Sequence, residues 1–222
     1  MTVFFSQLIN GLSLGSIYAL IALGYSMVYG IILLLNFAHG DVIMVGAYMS
    51  WFVMNQLGLG PVTAVCATII TCTLLGVVIE KVAYTPLRNA PRISLLITAI
   101  GVSFFLEYTA ELVMGSGAKV IPSYYGNKTF MIGSVLYCCS YPQATPTMGS
   151  MLGLKAFVAA VLGGIGSIPG AMIGGIAIGL CECFVSAIGL SAWKDAVTFA
   201  ILIIVLLVKP TGFLGRKVQE KV

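Results

Sequence analysis

Long apolar stretches separated by short polar turns run along this chain, and they predict membrane-spanning helices. A helix that crosses the hydrocarbon core of a bilayer, about 30 Å thick, needs about 20 mostly apolar residues. Six stretches approach or exceed this length: residues 8–35, 42–57, 62–79, 93–114, 170–190 and 192–208. The stretch at 42–57 is marginal. The pattern predicts an all-α fold, a polytopic transmembrane helical bundle formed by a single domain over residues 1–222.

A seventh apolar stretch, residues 154–162, is too short to cross and stops at two glycines. It predicts a half-helix that enters the membrane and breaks, so the bundle has about six full spans plus a broken helix. Broken helices at membrane depth are tolerated only where protein or a water-filled cavity covers the freed backbone. In transporters such helices point to the transport pathway.

Glycines recur at four-residue spacing inside the apolar stretches, as at Gly11 and Gly15 and again at Gly175 and Gly179. On a helix this spacing makes a smooth ridge on which a second helix can approach closely. The predicted helix-breaking and packing residues are Gly163, Gly164, Gly166, Pro169, Gly170 and Gly174. The glycine spacing is a strong sign of tight helix packing and only a weak sign of transport.

Composition agrees with a lipid environment. The chain is 59% hydrophobic and 8% charged, against about 25% charged residues in soluble domains. Its net charge of +4 comes from a few basic residues at the ends of apolar runs, which does not indicate nucleic-acid binding. The six cysteines include no CxxC pair and have no nearby histidine, so no metal site is predicted. Cys138 and Cys139 are predicted to lie in a loop where oxidation is feasible.

The basic residues also predict the orientation of the chain. Seven of the eleven lie in residues 80–92 and 209–222. Cytoplasmic loops carry an excess of Lys and Arg, so both segments, and with them the C-terminus, are predicted to be cytoplasmic. The N-terminus and residues 115–153 are then outside. The count of crossings closes only if the broken helix carries the chain inward.

Glutamates at 107, 111 and 182 lie within predicted spans, where a charge is costly and marks a functional site by default. Glu107 and Glu111 are one turn apart and are interpreted as lying near the outer interface, hydrated or paired with Lys119. Glu182 lies deeper, and one interpretation is that it faces a partner subunit. Glu182 is therefore a candidate for the substrate pathway.

A polar sequence between the first two spans, NFAHGD at residues 36–41, has two interpretations. The simpler one is a cytoplasmic turn in which Asp41 caps the helix that begins at Val42, since Asp is a preferred N-cap residue. The alternative places Asn36, His39 and Asp41 in the substrate pathway. His39 is the only histidine, and no Ser or Cys nucleophile accompanies it, so catalysis is not indicated.

No catalytic residue, cofactor or phosphate-binding motif is predicted. The nucleotide-binding pattern GxxxxGK[ST] is absent from the sequence, so ATP would be hydrolysed by another chain. Nucleophile, base and orienting group do not occur together in a way that would indicate an enzyme.

The sequence resembles the branched-chain amino acid permeases of the LivH type over residues 5–134 and 145–216. The resemblance rests on NFAHGD at 36–41 with its continuation VIMVGAY, on YTPLR at 84–88, on GLKAFVAAVLGGIGSIPGA at 153–171, and on KPTG at 209–212. It implies a subunit of an ABC importer in a bacterial inner membrane that works by alternating access. It also implies a LivM-type companion permease, two cytoplasmic ATPase subunits, a periplasmic amino-acid-binding protein and surrounding membrane lipid as partners.

The chain departs from this family near residues 133–145, where several tens of residues are missing and VLYCCSYP does not resemble the family. The resemblance implies that the missing part holds two spans and the cytoplasmic loop that docks on the ATPase. Two alternatives therefore stay open beside the importer subunit. One is an ATP-independent facilitator or channel-like protein, and the other is an inactive, shortened permease.

Overall fold

The computed structural model of the chain describes residues 2–32, 36–87, 90–120, 143–209 and 211–215. Within them the chain forms seven α-helices: α1 Thr2–Ile32, α2 His39–Trp51, α3 Pro61–Ile79, α4 Arg92–Met114, α5 Met148–Gly163, α6 Ile168–Ala187 and α7 Lys194–Val208. A π-helical turn continues α2 over Phe52–Gln56 and another continues α3 over Glu80–Tyr84. The 3-10 turns are Thr85–Leu87 and Ser191–Trp193. Two very short strands, β1 Lys119–Val120 and β2 Gln143–Ala144, pair antiparallel. The predicted all-α class is confirmed.

Five of the six predicted spans are helices long and apolar enough to cross a membrane. They are Phe4–Gly30, Pro61–Leu87, Ile93–Met114, Ile168–Ala187 and Ser191–Val208. The marginal stretch at 42–57 forms α2 and its π-helical turn, which are not among the five. The physical reason is that both ends of this helix are polar, with His39 and Asp41 at the start and Asn55 and Gln56 at the finish.

The predicted short helix is α5, which has 16 residues and ends at Gly163. Gly164 and Gly166 follow with φ angles of 107° and 84°, a backbone region that favours glycine. The next helix, α6, has Ser167 as its N-cap, whose Oγ accepts a hydrogen bond from Gly170 N at 3.3 Å. The glycine pattern therefore located the break in the helix, since positive φ angles end a helix wherever they occur.

The chain forms two compact units. Unit 1 comprises Met1–Leu33 and Leu154–Val222, and so contains α1, α6, α7 and most of α5. Unit 2 comprises Leu34–Gly153 and contains α2, α3 and α4. In unit 2, α2 packs mainly against α3. In unit 1, α1 packs along α6.

Small residues allow the close contact of α1 with α6. A Cβ atom added at Gly15 would lie 2.7 Å from the Cα of Ile176, and one at Gly11 would lie 3.0 Å from the Cα of Leu180. A Cβ at Gly179 would clash with the backbone of Gly15. The two helices therefore meet backbone to backbone, as expected of small residues spaced by four in membrane helices.

Candidate functional site

Unit 1 contains an ion-pair cluster around a buried lysine and a buried glutamate. Glu182, on α6, is only 2% exposed, and Lys155, on α5, is 7% exposed. The Lys155 ammonium lies 3.0 Å from Glu182 Oε1 and donates a hydrogen bond to Oε2 at 3.2 Å. It also lies 2.7 Å from Asp195 Oδ1 at the start of α7. One lysine is therefore shared by two carboxylates on neighbouring helices.

Two hydroxyl groups complete the surroundings of the Glu182 carboxylate. Tyr18, on α1, donates to Oε2 at 3.0 Å, and Thr198, on α7, donates to Oε1 at 3.1 Å. The Lys155 ammonium in turn reaches Tyr18 OH at 3.4 Å and lies 5.7 Å from the centre of its ring. A charge buried in this way is stable only when it is paired and hydrogen-bonded. The cluster meets that condition and joins all four helices of unit 1.

Glu182 thus has its partners inside its own chain, which differs from the interpretation that it faces a partner subunit. Sequence reasoning did not single out Lys155. The signal was present, since Lys155 is a cation within the apolar stretch that forms the half-helix. A basic residue at such a position calls for a buried carboxylate partner, and Glu182 was the deepest candidate.

The predicted residues Asn36, His39 and Asp41 all lie at or just before the start of α2, in unit 2. The helix begins at His39 with Ala38 as its N-cap, and no side chain makes a cap hydrogen bond. The prediction that Asp41 caps a helix starting at Val42 is therefore wrong. Asp41 is already inside the first turn, and its carboxylate bonds to Ser103 instead of capping the helix.

Asp41 is fully buried and contacts two other helices. Its Oδ2 accepts a short hydrogen bond from Ser103 on α4. A Cβ atom added at Gly149, in α5, would lie 2.5 Å from Asp41 Oδ1, and one at Gly40 would lie 2.8 Å from Gly153 Cα. Glycine is therefore needed at Gly40 in α2 and at Gly149 in α5, because a side chain at either position would clash with the other helix. The Asp41 carboxylate lies in this close contact between α2 and α5.

Asn36 orders the turn that precedes α2. Its Oδ1 accepts hydrogen bonds from the backbone N of Ala38 at 3.1 Å and from Tyr84 OH at 2.7 Å. The first bond is a local turn contact of the kind that Asn commonly makes. The second bond joins this turn to the π-helical turn after α3.

Glu107 and Glu111 differ from each other in their surroundings. Glu111 is exposed, whereas Glu107 is half-buried, and its Oε1 is buried with no hydrogen-bond partner among the described residues. Lys119 lies over the ring of Trp51, 5.4 Å from its centre. In the described structure Lys119 therefore makes a cation–π contact, not the carboxylate pairing that was one of its predicted alternatives.

The break between α5 and α6 brings the predicted glycines together. A Cβ atom at Gly163 would lie 2.7 Å from Ala171 N, and one at Gly174 would lie 3.0 Å from Gly163 N. Gly170 faces Gly163 in the same contact. Gly166 has open space around it, and Pro169 lies in the first turn of α6. The glycines thus serve two purposes. Gly164 and Gly166 adopt the positive φ angles of the turn, and the other glycines allow close contact between α5 and α6.

The segment after α7 covers the broken end of α5. Phe213 N donates to Leu162 O and Leu214 N donates to Gly163 O, both at 2.9 Å. A Cβ atom at Gly164 would lie 2.5 Å from Gly215 Cα. These contacts satisfy carbonyl groups that the last turn of a helix leaves free, which is the protein cover that a broken helix in a membrane requires.

Unit 2 contains an apolar cavity of about 370 Å³ between α2, α3 and α4. Its walls include Tyr48 from α2, Phe52 from the π-helical turn that continues α2, Thr71 from α3, and Leu106 and Val113 from α4. No charged side chain lines it. The cavity therefore suits an aliphatic group and not an ion.

The remaining sequence predictions concern a metal site and the cysteines of the structure. Among the residues it describes, no group of three or more His, Cys, Asp or Glu side chains could hold a metal ion. Free cysteines in these ranges are Cys66, Cys72, Cys181 and Cys183. Cys138, Cys139 and most of the segment at 133–145 lie outside the described residues.

Five apolar helices, a broken helix covered by protein and buried charges paired between helices define a multi-pass integral membrane protein. A sequence model of the family described as "Branched-chain amino acid transport system / permease component" matches residues 7–134 and 129–206. The chain belongs to this family of transport permeases.

Curated relatives agree with the family. The high-affinity branched-chain amino acid transport system permease protein LivH of Escherichia coli K12 is 36% identical over 301 residues, covering 99% of this chain and 98% of the relative. LivH of Salmonella typhimurium gives the same values. The permease protein BraD of Pseudomonas aeruginosa is 37% identical with the same coverage. No solved structure matches the chain.

Proposed function

We propose that this chain is a permease subunit of an ABC importer for branched-chain amino acids and forms part of the translocation pathway by alternating access. The observation that carries the proposal is the match over 99% of the chain to permeases named for this transport. The bundle of apolar helices with a broken helix supports it, because discontinuous helices line substrate pathways in other transporters.

The partners follow from the same family. A LivM-type companion permease completes the pathway, two cytoplasmic ATPases hydrolyse ATP on separate subunits, and a periplasmic binding protein delivers the substrate. The complex lies in the bacterial inner membrane with the C-terminus of this chain in the cytoplasm. A C-terminal green fluorescent protein fusion should then fluoresce, whereas a C-terminal alkaline phosphatase fusion should be inactive. The reverse pair of results would place the C-terminus outside.

For the pathway we propose Asn36, His39 and Asp41 in unit 2 and Glu182 in unit 1. The support differs between the two places. The first three lie at one helix start, where Asp41 is buried and its Oδ1 has no hydrogen-bond partner among the described residues. Glu182 is already paired with Lys155, so it contributes by holding pathway helices together and not by binding substrate directly.

A specific observation favours a second candidate, the inactive shortened permease. The alignment with the relatives extends over 301 residues although this chain has 222. The relatives therefore carry several tens of residues that have no counterpart here. The family matches as two pieces that meet at residues 129–134, which supports a missing internal segment near 133–145. If that segment holds the contact with the ATPase, the chain folds but does not couple to ATP.

Reconstitution distinguishes these functions. The chain is co-expressed with its companion permease and two ATPases, purified by a tag on this chain, and placed in proteoliposomes with the binding protein and radiolabelled leucine. The Escherichia coli LivH complex is the matched control. ATP-dependent uptake, together with co-purified ATPases, supports the importer. Uptake that is equal with ATP and with a non-hydrolysable analogue indicates a facilitator. No uptake by a folded chain indicates the inactive form.

A further inference from the structure

We propose that Asp195 and Lys155 form a releasable latch that holds the start of α7 against α5. In the released state Asp195 leaves Lys155 for water, while the Lys155–Glu182 pair stays intact and α7 moves. The latch is a property of this chain by itself. Its use in transport, where Asp195 is a positioning residue, rests on the proposed function.

The two carboxylates that share Lys155 are held very differently. The side chain of Glu182 is 3% exposed and accepts hydrogen bonds from Lys155, Tyr18 and Thr198. The side chain of Asp195 is 35% exposed, and its Oδ1 is buried 2.7 Å from the ammonium of Lys155 with no further partner among the described residues. Glu182 is therefore held by three side chains, whereas Asp195 depends on Lys155.

Releasing Asp195 leaves no buried charge without a partner. Lys155 keeps both oxygens of Glu182 and the hydroxyl of Tyr18. The Asp195 side chain is 35% exposed although its Oδ1 is buried against Lys155, so a small movement brings its carboxylate into water. Separating the fully buried Lys155–Glu182 pair is strongly unfavourable by comparison. The cluster therefore opens at Asp195 first.

The rest of α7 is attached in a way that permits such a movement. Thr198 is the one residue of this helix that the structure buries. Before the helix, Gly189 has a φ of 88° and the 3-10 turn Ser191–Trp193 is exposed. After it, Phe213 and Leu214 hold the chain to the end of α5. The turn of α7 that carries Asp195 can thus swing about Thr198, which stays bonded to Glu182.

Both ends of the α7 region contact the same broken helix. Lys155 lies in the middle of α5, and residues 211–215 cover the last turn of α5. A movement at Asp195 therefore changes how α7 is held relative to the break at Gly163. This arrangement gives the latch a physical connection to the part of unit 1 that is expected to line the pathway.

Hydrogen exchange of the intact chain in lipid nanodiscs tests the latch without any need for transport. In Asp195→Asn, amide exchange in the first turns of α7 should rise roughly fivefold while α6 around Glu182 is unchanged, because a local opening has its own free energy. Glu111→Gln, which removes an exposed carboxylate from α4, is the matched control. Unchanged exchange in α7, or equal rises in α6 and α7, would overturn the latch.

A second measurement uses the unaltered protein, so it does not depend on the variant folding. Raising the salt concentration to about 1 M shortens the screening length to about 3 Å. Exchange in α7 should then rise in the same direction as in Asp195→Asn but by a smaller factor, because a partly buried pair is screened less, and salt should have no further effect on that variant. A salt effect of equal size in the variant would contradict the role of Asp195.

A transport assay then tests whether the latch is used in the proposed function. In a complex that takes up leucine, Asp195→Asn should change the maximal rate and leave the KM unchanged, and Asp195→Glu should restore the rate. An unchanged maximal rate would show that the latch has no role in transport. A complex in which even the unaltered chain is inactive would count against the proposed function, and the exchange experiment would still decide the latch.

Discussion

Replacing Lys155 by methionine should destabilise the protein more than any other single substitution in the cluster. Methionine keeps much of the length of the lysine stem and removes the charge. The substitution leaves Glu182, which is 2% exposed, without a cation. Its remaining partners are the hydroxyls of Tyr18 and Thr198.

The expected magnitude follows from two opposing effects. Removing one member of a buried ion pair typically costs about 3–5 kcal/mol, because the other charge stays buried and uncompensated. Hydrogen bonds between membrane helices contribute about 0.6 kcal/mol each on average. The two hydroxyls therefore offset only a small part of the loss, and we expect the free energy of unfolding to fall by about 3 kcal/mol or more.

The assay is reversible unfolding in mixed micelles, followed by the fluorescence of the two tryptophans, of which Trp193 precedes α7. Lys155→Met is compared with the double variant Lys155→Met/Glu182→Gln, in which the buried charge is gone and the hydrogen-bond acceptor stays. The double variant should lie within about 1 kcal/mol of the unaltered protein. Lys81→Met is the control, because Lys81 is exposed and its replacement should change the stability by less than about 0.5 kcal/mol.

Two results would refute this reasoning. One is a Lys155→Met protein as stable as the Lys81→Met control, which would mean that Glu182 is not an uncompensated buried charge. The other is a double variant as unstable as the single one. In that case the loss would come from packing of the lysine stem and not from its charge.

Three further outcomes are expected. Gly15→Ala should destabilise the protein by about 1–3 kcal/mol, since its Cβ would lie 2.7 Å from backbone on α6, whereas Gly76→Ala, with nothing within 4 Å, should not destabilise it in thermal unfolding. Ser103→Ala should cost about 1–3 kcal/mol by leaving the Asp41 carboxylate with one donor fewer, measured in the same unfolding assay. Gly212→Ala should loosen the segment after α7, because a side chain is strained at its φ of 73° and would meet the backbone of α5. Faster proteolysis of that segment is the measure, and an unchanged cleavage rate would contradict it.

Sequence reasoning was most accurate where the cause is local. Apolar length identified the five spans, and the glycines after residue 162 placed the end of α5 at Gly163. It was wrong at Asp41. The pattern of a polar turn before an apolar run suggested a helix cap, but the helix starts earlier, at His39. The competing effect is tertiary, since Ser103 on α4 binds the carboxylate from outside the turn.

The membrane class and the helices of this protein are determined by the sequence alone, because a helix in lipid must satisfy its own backbone hydrogen bonds and so depends on local composition and length. The pairing of charges is decided only by the tertiary structure. Tyr18 and Glu182 are 164 positions apart, and Lys155 and Glu182 are 27 apart. No sequence periodicity connects such residues. Tyr18 meets Glu182 because glycine ridges let α1 and α6 approach closely. Lys155 meets Glu182 because the chain reverses after Gly163, so that α6 runs back along α5.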